Sequence, residues 1–373
     1  MPVLSWVAVE VLTGNVLADL PDLNGENGED LTLQSTMGQY DTLAAYLPLP
    51  TAPVNWQRAV LPGAANLILL QDNLPVWGGM VISSDPSESD EVALSLVTLE
   101  GYLDRLYIGN ETFTAMGQND IVSYLITKYI VGAGIPIRVQ YVNGAGSGTA
   151  RTLAYLDTDD KTIYSVVQAI AALQGGPEWT IGWEWQHNPE RITPVFYIGD
   201  RLGAAATPGL SPNATFDMPG CLTAFSNLTD YTSGKGATDV MATSSGQGAT
   251  RPQSAHQSVT DPLRPRFEWR VSPATTTTDI PTLNSFAMGE LAQLTGGTET
   301  IAMVADLNSA PKLGVDWNLG DDIGFQIGGL DANGHDTVPG FPGGFTGVSR
   351  AIGWDLQLSA TPTVTPIIAG GSV

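Results

Sequence analysis

The sequence predicts a β-rich α+β protein, and three observations carry that prediction. Gly (42) and Pro (25) punctuate the 373-residue chain at short intervals. Charged residues make up 14% of it, well under the usual ~25%, which suits short strands and turns better than long charged helices. Apolar residues recur mostly in brief runs or with period two, the spacing of half-buried strands. At ~150 residues per domain, the length predicts two or three domains, and 43% hydrophobic content is enough to build their cores.

From Ser5 to Leu12 and from Asn66 to Leu99, apolar runs are broken by Thr13-Gly-Asn15, Asp72-Asn73 and Asp85-Pro-Ser-Glu-Ser-Asp90. Residues 1–105 therefore read as mostly strands, with one short helix over Val54–Leu61 stopped by Pro62-Gly63. The pattern then changes. Ile121, Tyr124, Leu125 and Lys128-Tyr129 recur at helical spacing after an Asn119 cap, with Gly132 as a stop. Ile163, Val166, Val167, Ile170 and Leu173 form a second apolar stripe, capped by Thr158-Asp159-Asp160 and ended by Gly175-Gly176. Strand-like segments surround these helices at Ile135–Val142, Glu178–Gln186 and Ile192–Ile198, so 106–198 reads as an α+β insertion.

Residues 199–249 return to short strands, and Thr250–Pro265 is a polar connector. Leu283, Phe286, Ala287, Glu290, Leu291 and Leu294 mark a third helix, with Pro281 in its first turn and Gly296-Gly297 at its end. Ile323, Phe325 and Ile327 alternate, as do Ile352, Trp354, Leu356 and Leu358, so the chain closes as an antiparallel sheet or barrel. The expected division is 1–105 with 199–235 as one β-domain, 106–198 inserted, 236–297 a connector and helical subdomain, and 298–373 a second β-domain.

Thirty-eight acids against fifteen bases leave a net charge of −23. Sequence-specific binding of nucleic acid is disfavoured, and no basic block exists to meet DNA or anionic lipid. The one cysteine, Cys221, permits no intrachain disulfide and no thiolate cluster. Met1–Glu10 has no signal-peptide pattern and no apolar run approaches a membrane span, so folding in a cytoplasm is expected.

Glu178-Trp-Thr-Ile-Gly-Trp-Glu-Trp185 combines two carboxylates with three tryptophans, as a sugar cleft would. On a strand, Glu178 and Glu184 share a face but stand ~20 Å apart, too far for a glycosidase pair. Trp179, Ile181, Trp183 and Trp185 fall on the other face, which reads as core. His187, His256 and His335 have no metal-ligand spacing, and the acidic loop Asp19–Asp30 lacks the calcium-loop register. Gly144-Ala-Gly-Ser-Gly148 lacks the phosphate-loop lysine. Gly347-Val-Ser349-Arg-Ala351 lacks the helix and final glycine of a nucleophile elbow. No catalytic, cofactor-binding or metal-ligating residue is assigned, no cofactor is expected, and the protein is read as a non-enzyme.

Five segments, in order, carry a resemblance: Leu74-Pro-Val-Trp77-Gly-Gly-Met-Val81, Leu99-Glu-Gly-Tyr-Leu-Asp-Arg105, Ala237-Thr-Asp-Val-Met-Ala242, Pro311-Lys-Leu-Gly-Val-Asp-Trp317-Asn-Leu-Gly320-Asp321-Asp-Ile323 and Val348-Ser-Arg350-Ala-Ile-Gly-Trp354. Together they resemble the minor tail proteins, of the baseplate or tail-tip hub class, of long non-contractile-tailed phages of actinobacteria. The resemblance spans essentially the whole chain.

It implies two related hub-type β-barrels per chain with α+β subdomains inserted or appended, and a homotrimer presenting a pseudo-sixfold ring to the tail tube. It implies a virion protein made in the host cytoplasm. Its expected partners are the distal tail protein, the tape measure protein and other minor tail or fibre proteins, with genomic DNA passing without specific binding. The chain stops at Val373, so an appended hydrolase or fibre is not expected. A glycan- or receptor-binding β-module is the alternative, and a cell-wall hydrolase a more distant one.

Overall fold

The computed structural model describes residues 2–244, 248–272 and 279–369. The last four positions of the C-terminal segment, and 245–247 and 273–278 of the connector region, lie outside the described residues. The chain divides into a large unit, Met1–Ala224 with Met303–Ala369, and a small unit built on Phe225–Ala302.

The N-terminal strands are β1 (Leu4–Glu10), β2 (Val16–Leu20), β3 (Leu31–Thr36) and β4 (Thr42–Pro48). After the one-turn helix α1 (Trp56–Ala59) come β5 (Ala65–Gln71), β6 (Leu74–Pro86) and β7 (Glu91–Thr98). Six of these make one sheet in the order β2-β1-β5-β6-β7-β4. The Asp72-Asn73 punctuation is the β5–β6 hairpin turn, with both residues at positive φ (51° and 66°), as the tight turns matching strand twist require. All seven residues of β5 are buried, with the apolar run Leu67–Leu70 flanked by buried Asn66 and Gln71, so this central strand shows no in/out alternation.

The inserted segment runs β8 (Glu111–Gly117), α2 (Gln118–Leu125), β9 (Arg138–Tyr141), β10 (Ala150–Tyr155), α3 (Ile163–Ala171), β11 (Glu178–His187) and β12 (Glu190–Gly199). β8 pairs with β10, and β11-β12-β9 form a three-stranded sheet. Both helix starts differ from the sequence expectation. α2 begins after Gly117, and the expected cap Asn119 lies buried inside the first turn with its amide donating to Gly146 O at 2.9 Å. α3 is capped by Thr162, whose hydroxyl accepts from Ser165 N. Thr158 and Asp159 belong to a separate 3₁₀ turn, Asp157–Asp159, which ends at Asp160 at positive φ. Several polar residues in a row can each cap locally, so composition alone does not select one. The stripes hold in part: Ile121, Leu125, Ile163, Val166, Val167 and Ile170 are buried in one core with Val122, Trp179, Phe196 and Ile198, whereas Tyr124, Lys128 and Leu173, expected on the same stripes, are exposed.

The remaining elements are β13 (Thr215–Met218), β14 (Leu222–Asp230), β15 (Asp239–Ala242), β16 (Gln257–Ser258), β17 (Glu268–Val271), α4 (Ile280–Leu294), β18 (Thr298–Asp306), β19 (Asp322–Ile327), β20 (Phe345–Leu358) and β21 (Thr363–Ile368). β20 is long enough to serve two neighbourhoods. Its first half pairs with β19; its second half lies between β21 and β3, with Leu356 opposite Leu33. The N-terminal segment thus contributes a strand to the C-terminal sheet. Ile323, Phe325, Ile327, Trp354 and Leu356 are buried as the alternation predicts, while Ile352 and Leu358 are half-buried.

In the small unit, α4 packs on the sheet β16-β15-β17. Asp279 caps the helix, and Leu283 and Ala287 are buried against Ala237, Val240 and Ala242. Phe286, expected on the buried stripe, is 45% exposed. At 100° per residue it sits beside the Leu283–Ala287 line rather than on it.

Candidate functional site

Four of the five resemblance segments converge on β11, the tryptophan strand. From β6, Trp77 donates its indole N–H to Gln34 O at 3.0 Å. Gly78 faces β11 with no room for a side chain: a Cβ there would stand 2.4 Å from Trp183 Nε1 and 2.6 Å from Ile68 Cδ1. From the segment after β7, the buried Glu100 carboxylate accepts from Ile181 N at 2.9 Å. The other two segments arrive from the C-terminal sheet through one arginine.

Arg350, on β20, grips Glu178 at the start of β11 with both terminal nitrogens, one at 2.6 Å. The same guanidinium donates to Leu202 O at 2.9 Å and Gly320 O at 3.0 Å. Leu202 N donates to Glu178 at 2.7 Å. A second pair, Arg201 with Asp322, lies alongside at 2.5 Å, with Arg201 also reaching Gly320 O at 3.3 Å. Asp321 accepts from Ala204 N at 2.6 Å and from Asn318 N at 2.7 Å. Gly320, at φ +91°, makes this closeness possible: its Cβ would meet Leu202 O at 2.3 Å. A bidentate Arg–carboxylate pair whose guanidinium also donates to two backbone carbonyls is the geometry in which a half-buried ion pair holds its position.

The two carboxylates that hold β11 titrate in opposite directions. Burial raises Glu178, but the Arg350 hydrogen bonds overcome it and leave the carboxyl below its ordinary value. Glu100 meets no cation; burial pushes it up to about 7, against backbone and Thr98 hydrogen bonds that lower it, with the Asp41 charge adding to the rise. Asp41 is itself raised, chiefly by burial.

Trp179 (1% exposed) and Trp183 (8%) are core, as the face assignment predicts. Trp185 is half-buried at the strand's far end, its indole N–H held by Asn73 O at 2.8 Å. Glu184 pairs with Arg138 and accepts from Tyr197 at 2.5 Å. The structure does not gather the histidines: His187 lies beside Trp185, His256 binds Asp239, and His335 stands 3.7 Å from Asp331. Ser349 donates to Ala369 O, and burial raises the Cys221 thiol to about 11. Among the described residues no cluster of three His, Cys, Asp or Glu could hold a metal ion. None of their helices is long and apolar enough to cross a membrane.

The Arg350–Glu178 pair is the feature that sequence reasoning missed. Its two halves are 172 residues apart, and neither stands in a motif with a spacing rule. The one available signal was the scarcity of bases, fifteen in the whole chain, with three of them, Arg105, Lys312 and Arg350, inside resemblance segments.

No protein-family model matches the chain, and no curated protein does. Solved structures do. Over 98% of its length the chain superposes on 97% of a tail protein from Neisseria meningitidis, with TM-score 0.53 and 15% identity. Over 98% it superposes on 98% of the 43 kDa tail protein of prophage MuSo2 from Shewanella oneidensis, with TM-score 0.54 and 10% identity. The chain has a tail-protein fold. A chain of the Francisella PdpA–VgrG complex shares it over 99% of this chain and 58% of that one, with TM-score 0.53 and 8% identity. In this tail-protein fold the junction on β11 is where the N-terminal sheet, the insertion and the C-terminal sheet are tied together.

Proposed function

We propose that the protein is a structural component of a phage tail, without catalytic turnover, that assembles as the trimeric hub at the tail tip. The observation that carries this reading is the end-to-end match to two tail proteins, each covered over nearly its full length. On this reading the six-stranded N-terminal sheet and the C-terminal sheet are the two hub-type barrels, and 106–198 is an inserted domain. The 236–297 segment is appended. Three copies then face the tube on one side and the distal tail, tape measure and fibre proteins on the other. The acid surplus lets DNA pass a lumen without sticking, because like charge removes the counterion-release gain that drives binding to phosphates. The siphophage and actinobacterial assignments come from the sequence resemblance.

The junction on β11 suits such a role, since a collar that transmits load needs its sheets fastened to one another. Light scattering coupled to size exclusion tests the assembly: the expected mass is three times 39.3 kDa, with rings visible by electron microscopy. A monomer at all concentrations overturns the hub reading.

A further inference from the structure

The end of the tryptophan strand opens into a cleft of about 900 Å³ that the junction does not fill. That volume is within the ~300–1,000 Å³ range of small-ligand sites. Its walls are aromatic: Trp185 and His187 present near-parallel rings, 7° apart in plane with centroids 6.4 Å apart, and Tyr197 also lines the space. Trp185 is fixed in place by its bond to Asn73 O. Exposed Leu74 (43%) and Val315 (57%) also line the cleft.

The polar lining has one sign. Carboxylates come from Asp41, Glu100, Glu184, Asp316 and Asp321, while no lysine or arginine lines the cleft. Arg138, behind the wall, is already held by Glu184, so an anionic ligand would meet repulsion with no free cation to offset it. A ligand of many hydroxyl donors and flat C–H faces would find acceptors and rings together.

We propose that this cleft binds an uncharged oligosaccharide, with Trp185 as the stacking platform. The inference goes beyond the hub reading and does not rest on it. Trp179 and Trp183 stay in the core; the sugar face is confined to the end of the strand, where Trp185 is half-buried at the core's edge and His187 is exposed. Val315 is 57% exposed at the cleft, so a larger side chain there reaches the cleft without entering the core.

Titration of tryptophan fluorescence with chitotetraose and maltotetraose tests the proposal, with a glycerol-phosphate tetramer and tetralysine as charged probes. Saturable binding of a neutral tetramer is expected, with Kd raised about tenfold or more in Val315→Arg and in Trp185→Ala. The proposal is overturned by three results: no saturable binding of either neutral tetramer, unchanged affinity in Val315→Arg, or tighter binding of a charged probe. Trp185→Ala is read beside Val315→Arg so that a folding defect in one leaves the other informative. Native mass measured on the same samples reports on the hub reading alone, so the two can fail separately.

Discussion

The large and small units bury surface and carry charge in different ways. In the large unit one apolar cluster runs from Val7 and Ile68 through Leu125 and Val167 to Trp179 and Ile198. In the small unit, among the described residues, Ala237, Val240, Ala242, Leu283 and Ala287 form the buried cluster. Phe225–Ala302 holds seven acids and five bases, whereas the rest of the chain holds thirty-one and ten. The small unit supplements its core with a polar network: buried Asp239 takes His256 at 2.5 Å and Arg266 at 2.9 Å, and Arg266 and Arg270 share Glu268. A small unit cannot remove enough apolar area from water to rely on packing alone. A large one can, and it tolerates a heavy charge imbalance on its surface.

The same truncation in each core gives the sharpest test. Leu125→Ala, at a site with no exposure, is expected to cost about 4 kcal/mol because the surrounding core cannot collapse into the cavity. Leu283→Ala is expected to cost less, about 2–3 kcal/mol, yet to abolish amide-exchange protection across β15 and α4. Equal, local losses of protection in both would break the contrast.

Arg350→Met tests whether the large unit depends on its junction as well as its core. It leaves the Glu178 carboxylate half-buried without its cation, for an expected loss of about 3 kcal/mol, read as a lower denaturation midpoint at unchanged slope. A loss under about 0.5 kcal/mol would class the pair with surface ion pairs.

Glu100 sets the pH response of the same junction. Its folded value of about 7 lies above the ordinary 4.5, so the folded state holds a proton the unfolded chain gives up. Stability from this group is therefore present below about pH 4.5 and falls as pH rises to about 7. Glu100→Gln keeps an acceptor for Ile181 N and removes the titration. Urea melts should show a gain of about 2 kcal/mol at about pH 8 and little change at about pH 4; a gain independent of pH would overturn the assignment. The smallest effect is expected for Gly78→Ala, about 1–2 kcal/mol from crowding Trp183, visible as a shift in tryptophan emission.

Much of the fold was legible because its signals are local. The alternation in β19, the stripe on α3 and the Asp72-Asn73 turn each follow from residues within a few positions of one another. The helix caps at Asn119 and Thr158 were misread for the same reason, since neighbouring polar residues compete for one set of amides and only the final chain path decides. The candidate site was legible in part. The segments around Trp77, Glu100, Gly320 and Arg350 were singled out by their order, but nothing in their spacing said that they meet on β11.

The sequence alone determined the β-rich class, the positions of the apolar faces, the absence of disulfide pairing within the chain, and the acidic character of the surface. Only the tertiary structure decided that β3 joins the C-terminal sheet, that Arg350 closes on Glu178, that Glu100 is buried without a cation, and that Trp185 stands half-buried at the edge of the core that encloses Trp179 and Trp183. The division is physical. Periodicity and turn chemistry act between residues close along the chain, whereas ion pairing and burial depend on which distant segments become neighbours.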